Sequence, residues 1–387
     1  MQNLSRRTEN FSDSTIRRMT RIAAGYDAIN LSQGFPDFPP PAELMQAMER
    51  VSHQPEYQQY AVLAGSPLLT AAIARKCSRF MGIDIPQEDV TMTCGSTEAM
   101  TSAIMAITDI GDTVVVFNPY YENYIAESRL CGAKALYVDL NRDSTFSLDA
   151  EKLEDALRQH PKALILNNPS NPCGKVFTYE ELKTIAELVR KYDVYVITDE
   201  TYEHIVYAPN RHTYFASLPG MYERTICCSS LSKSYSITGW RLGYTIARPE
   251  ITDRIRKVHD FFTIGAAHPL QVAAVTGLEM PQSYYDDLIR KYTAKRELLC
   301  SGLETLGLNP IWPQGSYFVM CDISSFGYDS DMDFCVDMIE KVGVAAVPCS
   351  IFYNSPENRF IRFHFAKLDE TLYAALDRLE RIRILKK

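Results

Sequence analysis

The chain has no apolar run long enough to cross a bilayer as a helix, so a membrane-spanning protein is not expected. Its start, Met1-Gln2-Asn3-Leu4-Ser5-Arg6-Arg7, leads into polar sequence and not into the apolar stretch of a secretory signal. The ten cysteines include no C-x-x-C pair, and no Gly-rich dinucleotide fingerprint is present. The seven histidines fall at no metal-ligand spacing; His204, His259, His268 and His364 stand alone, so no metal site is expected. No basic stretch carries interleaved aromatics and the net charge is −8, which argues against nucleic acid as a partner. Internal repeats and low-complexity segments are also missing.

What is present describes a large folded chain. At 387 residues it exceeds what one core usually organises, so two domains are expected. Apolar residues make up 46%, enough for a sizeable core and too many for disorder. The cysteines are scattered, and Cys227-Cys228 falls in an expected buried strand. Free thiols in a reducing cytoplasm are the simplest account, with a redox pair as the alternative.

Residues 13–29 read as a helix leading into Asn30 to Pro41, whose Gly/Pro content forbids regular structure. From about residue 42 to 280, apolar runs alternate with helical patterns. Val90–Thr93, Thr113–Phe117, Ala135–Val138, Ala163–Asn167, Val194–Thr198, Thr225–Cys228 and Leu242–Ala247 read as strands. Leu153–Gln159 and Tyr179–Tyr192 read as helices between them. Short, fully apolar strands with intervening helices predict an α/β fold with a mostly parallel sheet covered on both faces. Residues 281–306 read as one long helix. Strands at Tyr317–Cys321, Val344–Val347 and Phe360–Phe365, mixed with helices, predict a smaller α+β domain at the C-terminus, with the N-terminal segment packed on it.

Several polar clusters follow predicted strands, where open α/β sheets gather ligands. Lys233 lies in Ser230-Leu231-Ser232-Lys233-Ser234, just past one such strand. A lysine held there in a cleft is desolvated and partly neutral, and a neutral amine can form a Schiff base with an aldehyde. Ser230 and Arg241 flank it as donors suited to a phosphate. An aldehyde with a phosphate describes pyridoxal 5′-phosphate, although Ser-x-x-Lys also occurs in serine hydrolases. Gly95-Ser96-Thr97-Glu98 opens a helix and offers backbone N–H groups to an anion, or is a plain N-cap. The doubled Asn-Pro in Asn168-Pro169-Ser170-Asn171-Pro172 fixes a rigid turn that can aim the Asn171 amide at a ligand. Asp199 can keep a pyridine nitrogen protonated, so that the ring acts as an electron sink, and Tyr202 can reach a phenolate oxygen. Tyr120 can stack on a flat ring or pack in the core. Arg362, inside an apolar strand, needs either a ligand carboxylate or an internal Asp or Glu.

Together and in this order, from about Asn30 to Leu372, these clusters resemble the class I aminotransferases, pyridoxal-phosphate enzymes of fold type I. The finer resemblance is to the kynurenine, glutamine–phenylpyruvate and methionine aminotransferase group. It rests on Leu31-Ser32-Gln33-Gly34-Phe35-Pro36-Asp37-Phe38, Tyr202-Glu203-His204-Ile205, Ile255-Arg256-Lys257-Val258-His259, Ser350-Ile351-Phe352-Tyr353 and Ile361-Arg362-Phe363. The resemblance implies a seven-stranded, mostly parallel sheet in a large domain over 42–285, a small domain over 286–387, and an N-terminal segment over 1–41. It implies that Lys233 forms the Schiff base and later shuttles the substrate proton. Asp199 pairs with the pyridine nitrogen, and Tyr202 and Asn171 contact the 3′ oxygen. Tyr120 stacks on the ring, while Gly95, Ser96, Thr97, Ser230 and Arg241 hold the phosphate. Tyr60 reaches the phosphate of the neighbouring subunit in an obligate homodimer. Arg362 clamps the substrate carboxylate, helped by Asn171 and the Gly34 backbone.

The sequence departs from the family pattern at Leu231-Ser232 before the lysine and at Thr201, neither of which touches the expected chemistry. Ala266-Ala267-His268-Pro269 carries small residues where kynurenine-type relatives have bulkier ones, which puts a kynurenine preference in doubt. No second arginine is clearly placed for an acidic side chain. The expected activity is therefore transfer of an amino group from a neutral L-amino acid (methionine, glutamine or aromatic) to a 2-oxo acid. The alternative on the same fold is a carbon–sulfur β-lyase acting on cysteine conjugates. A non-catalytic regulator would need a fused DNA-binding domain, and the roughly 30 residues before Asn30 are too few for one.

Overall fold

The computed structural model describes residues 4–5, 8, 11 and 13–387. Most of Met1–Arg7, on which the expectation of no leader rests, lies outside the described residues. In chain order the strands are β1 (Ile29–Asn30), β2 (Val90–Thr93), β3 (Thr113–Asn118), β4 (Lys134–Asp139), β5 (Ala163–Asn167), β6 (Tyr195–Asp199), β7 (Thr225–Ser230), β8 (Gly243–Ile246), β9 (Pro310–Ile311), β10 (Phe318–Asp322), β11 (Val344–Ala345), β12 (Val347–Pro348) and β13 (Phe360–His364). Seven of them form one sheet in the order β2-β8-β7-β6-β5-β3-β4. Only β8 runs against its neighbours, pairing antiparallel with β2 and β7. The mostly parallel seven-stranded sheet is thus present.

Alternation along these strands explains the layers. Val115 and Phe117 of β3, Leu164 and Leu166 of β5 and Val196 of β6 share one core with the helices Ala150–Leu157 and Tyr179–Lys191. Val114, Val116, Ala163, Ile165, Ile197 and Ile226 join a second core under the helices Ser96–Ile107, Asn123–Leu130 and Pro249–Thr263. Successive residues of a strand face opposite sides, so continuous apolar runs serve a sheet buried twice. The same rule separates Cys227 from Cys228, which lie in different cores. All ten thiols are free. Local signals set the helix ends. Thr178 Oγ1 accepts from the Glu181 N–H at 3.2 Å, and Glu181 Oε2 accepts from the Thr178 N–H at 2.8 Å, closing a capping box.

The rest of the chain builds a further core. Strands β12-β13-β10-β9 form an antiparallel sheet, and β1 pairs in parallel with β11, Ile29 opposite Val344. Met19, Ala23 and Leu31 share one apolar cluster with Leu299 and Leu303 of the long helix Gln282–Thr305 and with Leu372 and Leu379 near the C-terminus. No helix among the described residues is long and apolar enough to cross a membrane.

Candidate active site

The carboxyl ends of β2, β5, β6 and β7 converge with β13 of the smaller sheet on a cavity of about 810 Å³. Parallel strands bring their carboxyl ends to one edge, so residues distant in sequence meet there. Gly34, Ser96, Thr97, Asn171, Asp199, Tyr202, Ser230, Lys233, Arg241 and Arg362 all line it.

At one end the lining is built of anion donors. Gly95 caps the helix Ser96–Ile107 at φ +83°, and no side chain caps its first N–H groups. A Cβ on Gly95 would stand 2.2 Å from Arg241 Nη2, so only glycine leaves the guanidinium room. Arg241 donates to the Thr238 and Cys94 carbonyls at 3.1 and 3.3 Å. The buried Ser230 Oγ lies 2.8 Å from Ser232 Oγ and donates to the Leu242 carbonyl at 3.0 Å. Free helix N–H groups, hydroxyls and a guanidinium suit a phosphate.

Beside this cup, Lys233 Nζ donates to the Gly34 carbonyl at 3.2 Å and meets no carboxylate within ion-pair distance among the described residues. Burial pushes its ammonium down to about 8; Arg241 and Arg362 add to this, and Asp199 opposes it. Asp199, at the end of β6, accepts from the Tyr124 hydroxyl at 2.7 Å and the Thr201 N–H at 3.2 Å. Tyr202 stands edge-on to Tyr317, ring centroids 5.1 Å apart, and burial pushes its phenol well above the ordinary range. An anion cup, a partly neutral amine and a buried carboxylate in one cavity match the phosphate, aldehyde and pyridine nitrogen of pyridoxal phosphate.

Arg362 closes the far side. It is 1% exposed and donates to Asn171 Oδ1 at 2.5 Å and to the Ser32 carbonyl at 3.2 Å. Its charge lies 4.2 Å from the Phe318 ring centre, and burial lowers its pKa. No Asp or Glu pairs with it among the described residues, which removes the internal ion pair as an explanation. The Asn171 N–H donates to Asn167 Oδ1 at 2.6 Å, and the Asn167 amide reaches the Asp199 carbonyl at 3.1 Å, so the Asn-Pro turn is tied to β6.

The family-wide profile of "Aminotransferase class I and II" matches residues 26–379. The chain belongs to this family. Human kynurenine–oxoglutarate transaminase 1 is 34% identical over 398 residues, covering 94% of each chain. The structure of N-succinyldiaminopimelate aminotransferase from Mycobacterium tuberculosis superposes with a TM-score of 0.95 at 34% identity, covering 99% of this chain and 100% of that one. YbdL from Escherichia coli, whose structure identified a methionine aminotransferase function, gives 0.94 at 33% identity over 98% and 100%. This aminotransferase uses pyridoxal 5′-phosphate as its cofactor, as its family does.

One expected position differs in the aminotransferase structure. Tyr120 does not line the cavity; it is buried with its ring 5.8 Å from that of Tyr137, and its N–H donates to the Phe352 carbonyl at 2.9 Å. The next residue, Tyr121, lines the cavity instead. From two adjacent tyrosines the sequence could not tell which faced inward. Tyr60 is 82% exposed and outside its own chain's cavity. Neither Ala266 nor Ala267 lines the cavity. Sequence reasoning also missed Arg17 and Phe262, which line the cavity from helices far apart in the chain.

Proposed function

We propose that this aminotransferase takes the amino group of a neutral L-amino acid (methionine, glutamine or aromatic) and delivers it to a 2-oxo acid in a ping-pong cycle. The carrying observation is Arg362, a buried guanidinium with no carboxylate partner among the described residues, in the same cavity as Lys233. Such a fork suits a substrate α-carboxylate bidentately and would orient the amino acid for exchange. The apolar walls from Ile16, Phe35, Tyr121, Phe262 and Phe318 suit an uncharged side chain. The names of the human and Escherichia coli relatives, with kynurenine and methionine, support the same class.

The residue roles belong to this proposal. When bound, pyridoxal phosphate supplies an aldehyde for amine exchange and a ring that takes up electron density from the substrate Cα–H bond. Gly95, Ser96, Thr97, Ser230 and Arg241 hold its phosphate, Asp199 its ring nitrogen, and Tyr202 with Asn171 its 3′ oxygen. Tyr121 takes the stacking role in place of Tyr120. Lys233, with its ammonium depressed, accepts and returns the proton at the substrate Cα. Exposed apolar side chains at Tyr60, Val62, Phe261 and Ile264 support a homodimer in which Tyr60 completes the partner's phosphate site. The segments 1–41, 42–285 and 286–387 act as arm, cofactor domain and small domain, and free thiols support a cytoplasmic setting.

The test is the absorption spectrum of the holoenzyme after adding single L-amino acids without an oxo acid. Loss of the visible cofactor band with methionine, glutamine or phenylalanine, and its return with an oxo acid, is the expected result. A band unmoved by all three overturns the substrate assignment. Stoichiometric pyruvate from a cysteine conjugate, with no oxo acid supplied, would replace it with the β-lyase.

A further inference from the structure

A second cavity, of about 610 Å³, borders the loop that carries Lys233 and shares no lining residue with the first. It is lined by Pro39 to Pro41, by Tyr284 and Tyr292 of the helix Gln282–Thr305, and by Ser236, three residues beyond Lys233. Prolines and tyrosines offer flat apolar faces, which suit a planar ring.

Four charged residues also line it: Asp287, Lys291, Lys295 and Asp369. Three are engaged. Lys295 donates to Asp369 Oδ1 at 2.5 Å and to the Lys367 carbonyl at 2.6 Å, and Asp287 pairs with Arg290 at 2.6 Å. Lys291 has no ion pair among the described residues, so the cavity keeps one spare positive charge. Tyr292 is 1% exposed, and its hydroxyl has no hydrogen-bond partner among the described residues. A buried polar group of this kind calls for a partner.

This cavity reaches Lys233 by two routes. The Tyr284 hydroxyl donates to the Ser234 carbonyl at 2.5 Å, next to Lys233 in the chain. Tyr292 stacks on Tyr317, ring centroids 5.8 Å apart, and the Tyr317 hydroxyl donates to the Gly34 carbonyl at 2.9 Å. Lys233 Nζ donates to that same carbonyl at 3.2 Å. Ser236 itself sits at φ +57°, a left-handed conformation that a residue with a side chain holds only when its surroundings impose it.

We propose that the second cavity is a regulatory site for an aromatic monocarboxylate, which acts on Lys233 from outside the substrate cavity. The ring lies against the prolines and tyrosines, and the carboxylate meets Lys291. Filling the cavity changes how Tyr284 and Tyr292 hold the Lys233 loop and the Gly34 carbonyl, and so couples the two sites.

The test uses the holoenzyme with 2-naphthoate as the probe, in wild type, Lys291→Gln and Ala294→Trp. Ala294 lines the second cavity from an exposed helix position, so a tryptophan there fills the space without entering the core. Equilibrium dialysis should count one more equivalent of naphthoate per chain in wild type than in Ala294→Trp. Lys291→Gln should weaken that equivalent about threefold, as expected for an exposed ion pair. Turnover without naphthoate should be unchanged in both variants. In wild type naphthoate should lower kcat, and in Ala294→Trp that effect should vanish. Equal binding in all three proteins would place the probe in the substrate cavity alone and overturn the proposal. Inhibition of wild type that only raises KM would overturn the regulatory role. Binding is read without turnover, so its failure is distinct from a failure of the substrate assignment above.

Discussion

Two lysines in this molecule, the buried Lys76 and the half-buried Lys233, meet opposite fates. Lys76 sits behind the large sheet with its Nζ 2.5 Å from Glu203 Oε1, each side chain 4% exposed. Burial acts to lower its ammonium, but Glu203 outweighs this and lifts it to about 12. Glu203 in turn is pushed up by burial, yet Lys76, His204 and the Tyr214 hydroxyl hold it at about 2. Lys233, at the carboxyl edge of the same sheet, has among the described residues only a carbonyl to donate to, and falls to about 8. The first charge is closed within the protein and serves the fold. The second is left open and is available to a ligand. A buried cation therefore points to function when its partner is missing.

Substitutions on each side should separate the two kinds of site. Lys233→Ala should abolish transamination while the protein stays folded and keeps residual cofactor binding; normal turnover would overturn its assignment. Glu203→Ala should cost about 3–5 kcal/mol of stability, because it strands the Lys76 charge, and denaturant unfolding would measure it. A loss below 1 kcal/mol would mean that the pair is not structural. Arg362→Ala should weaken amino-acid binding roughly 10–100-fold and cofactor binding much less, as expected for lost charge-assisted bonds. Equal losses would make Arg362 structural. Arg241→Ala should weaken cofactor affinity about tenfold, and an unchanged affinity in equilibrium titration would remove it from the phosphate cup.

The pH dependences should also differ. Cofactor capture by the apoprotein needs the neutral Lys233 amine, so its rate should rise with pH and level off above about 8. A rate flat from pH 6 to 9 would contradict the depressed ammonium. Glu203 is depressed from 4.5 to about 2, so its stabilisation is present above pH 4.5 and is lost as pH falls toward 2.

Much of the fold was legible because burial on two faces leaves a plain trace. Ala163–Asn167, apolar through Leu166, reads as a strand and is one, and the long helix read over 281–306 spans Gln282–Thr305. Ends are less clear: β6 starts one residue after its apolar run begins, since Val194 is as apolar as the strand it precedes. The polar clusters were visible because hydroxyls, asparagines and an arginine stand out among apolar strands. Tyr121, Arg17 and Phe262 were not, because an aromatic or a charge on a helix has many reasons to be there. Their facing depends on how the helices Thr15–Gly25 and Pro249–Thr263 dock, which no local pattern encodes.

By itself the sequence determined the alternating elements, the doubly buried sheet and the set of residues able to hold a phosphorylated aldehyde. These follow from local periodicity and side-chain chemistry, which act over a few residues. Tertiary structure alone decided which tyrosine of the pair faces the cavity, which buried cation lacks a carboxylate, and that an arginine of the first helix shares a cavity with Arg362. Those outcomes depend on distances between segments hundreds of residues apart, and only the packing of the sheet, the helices and the smaller core sets them.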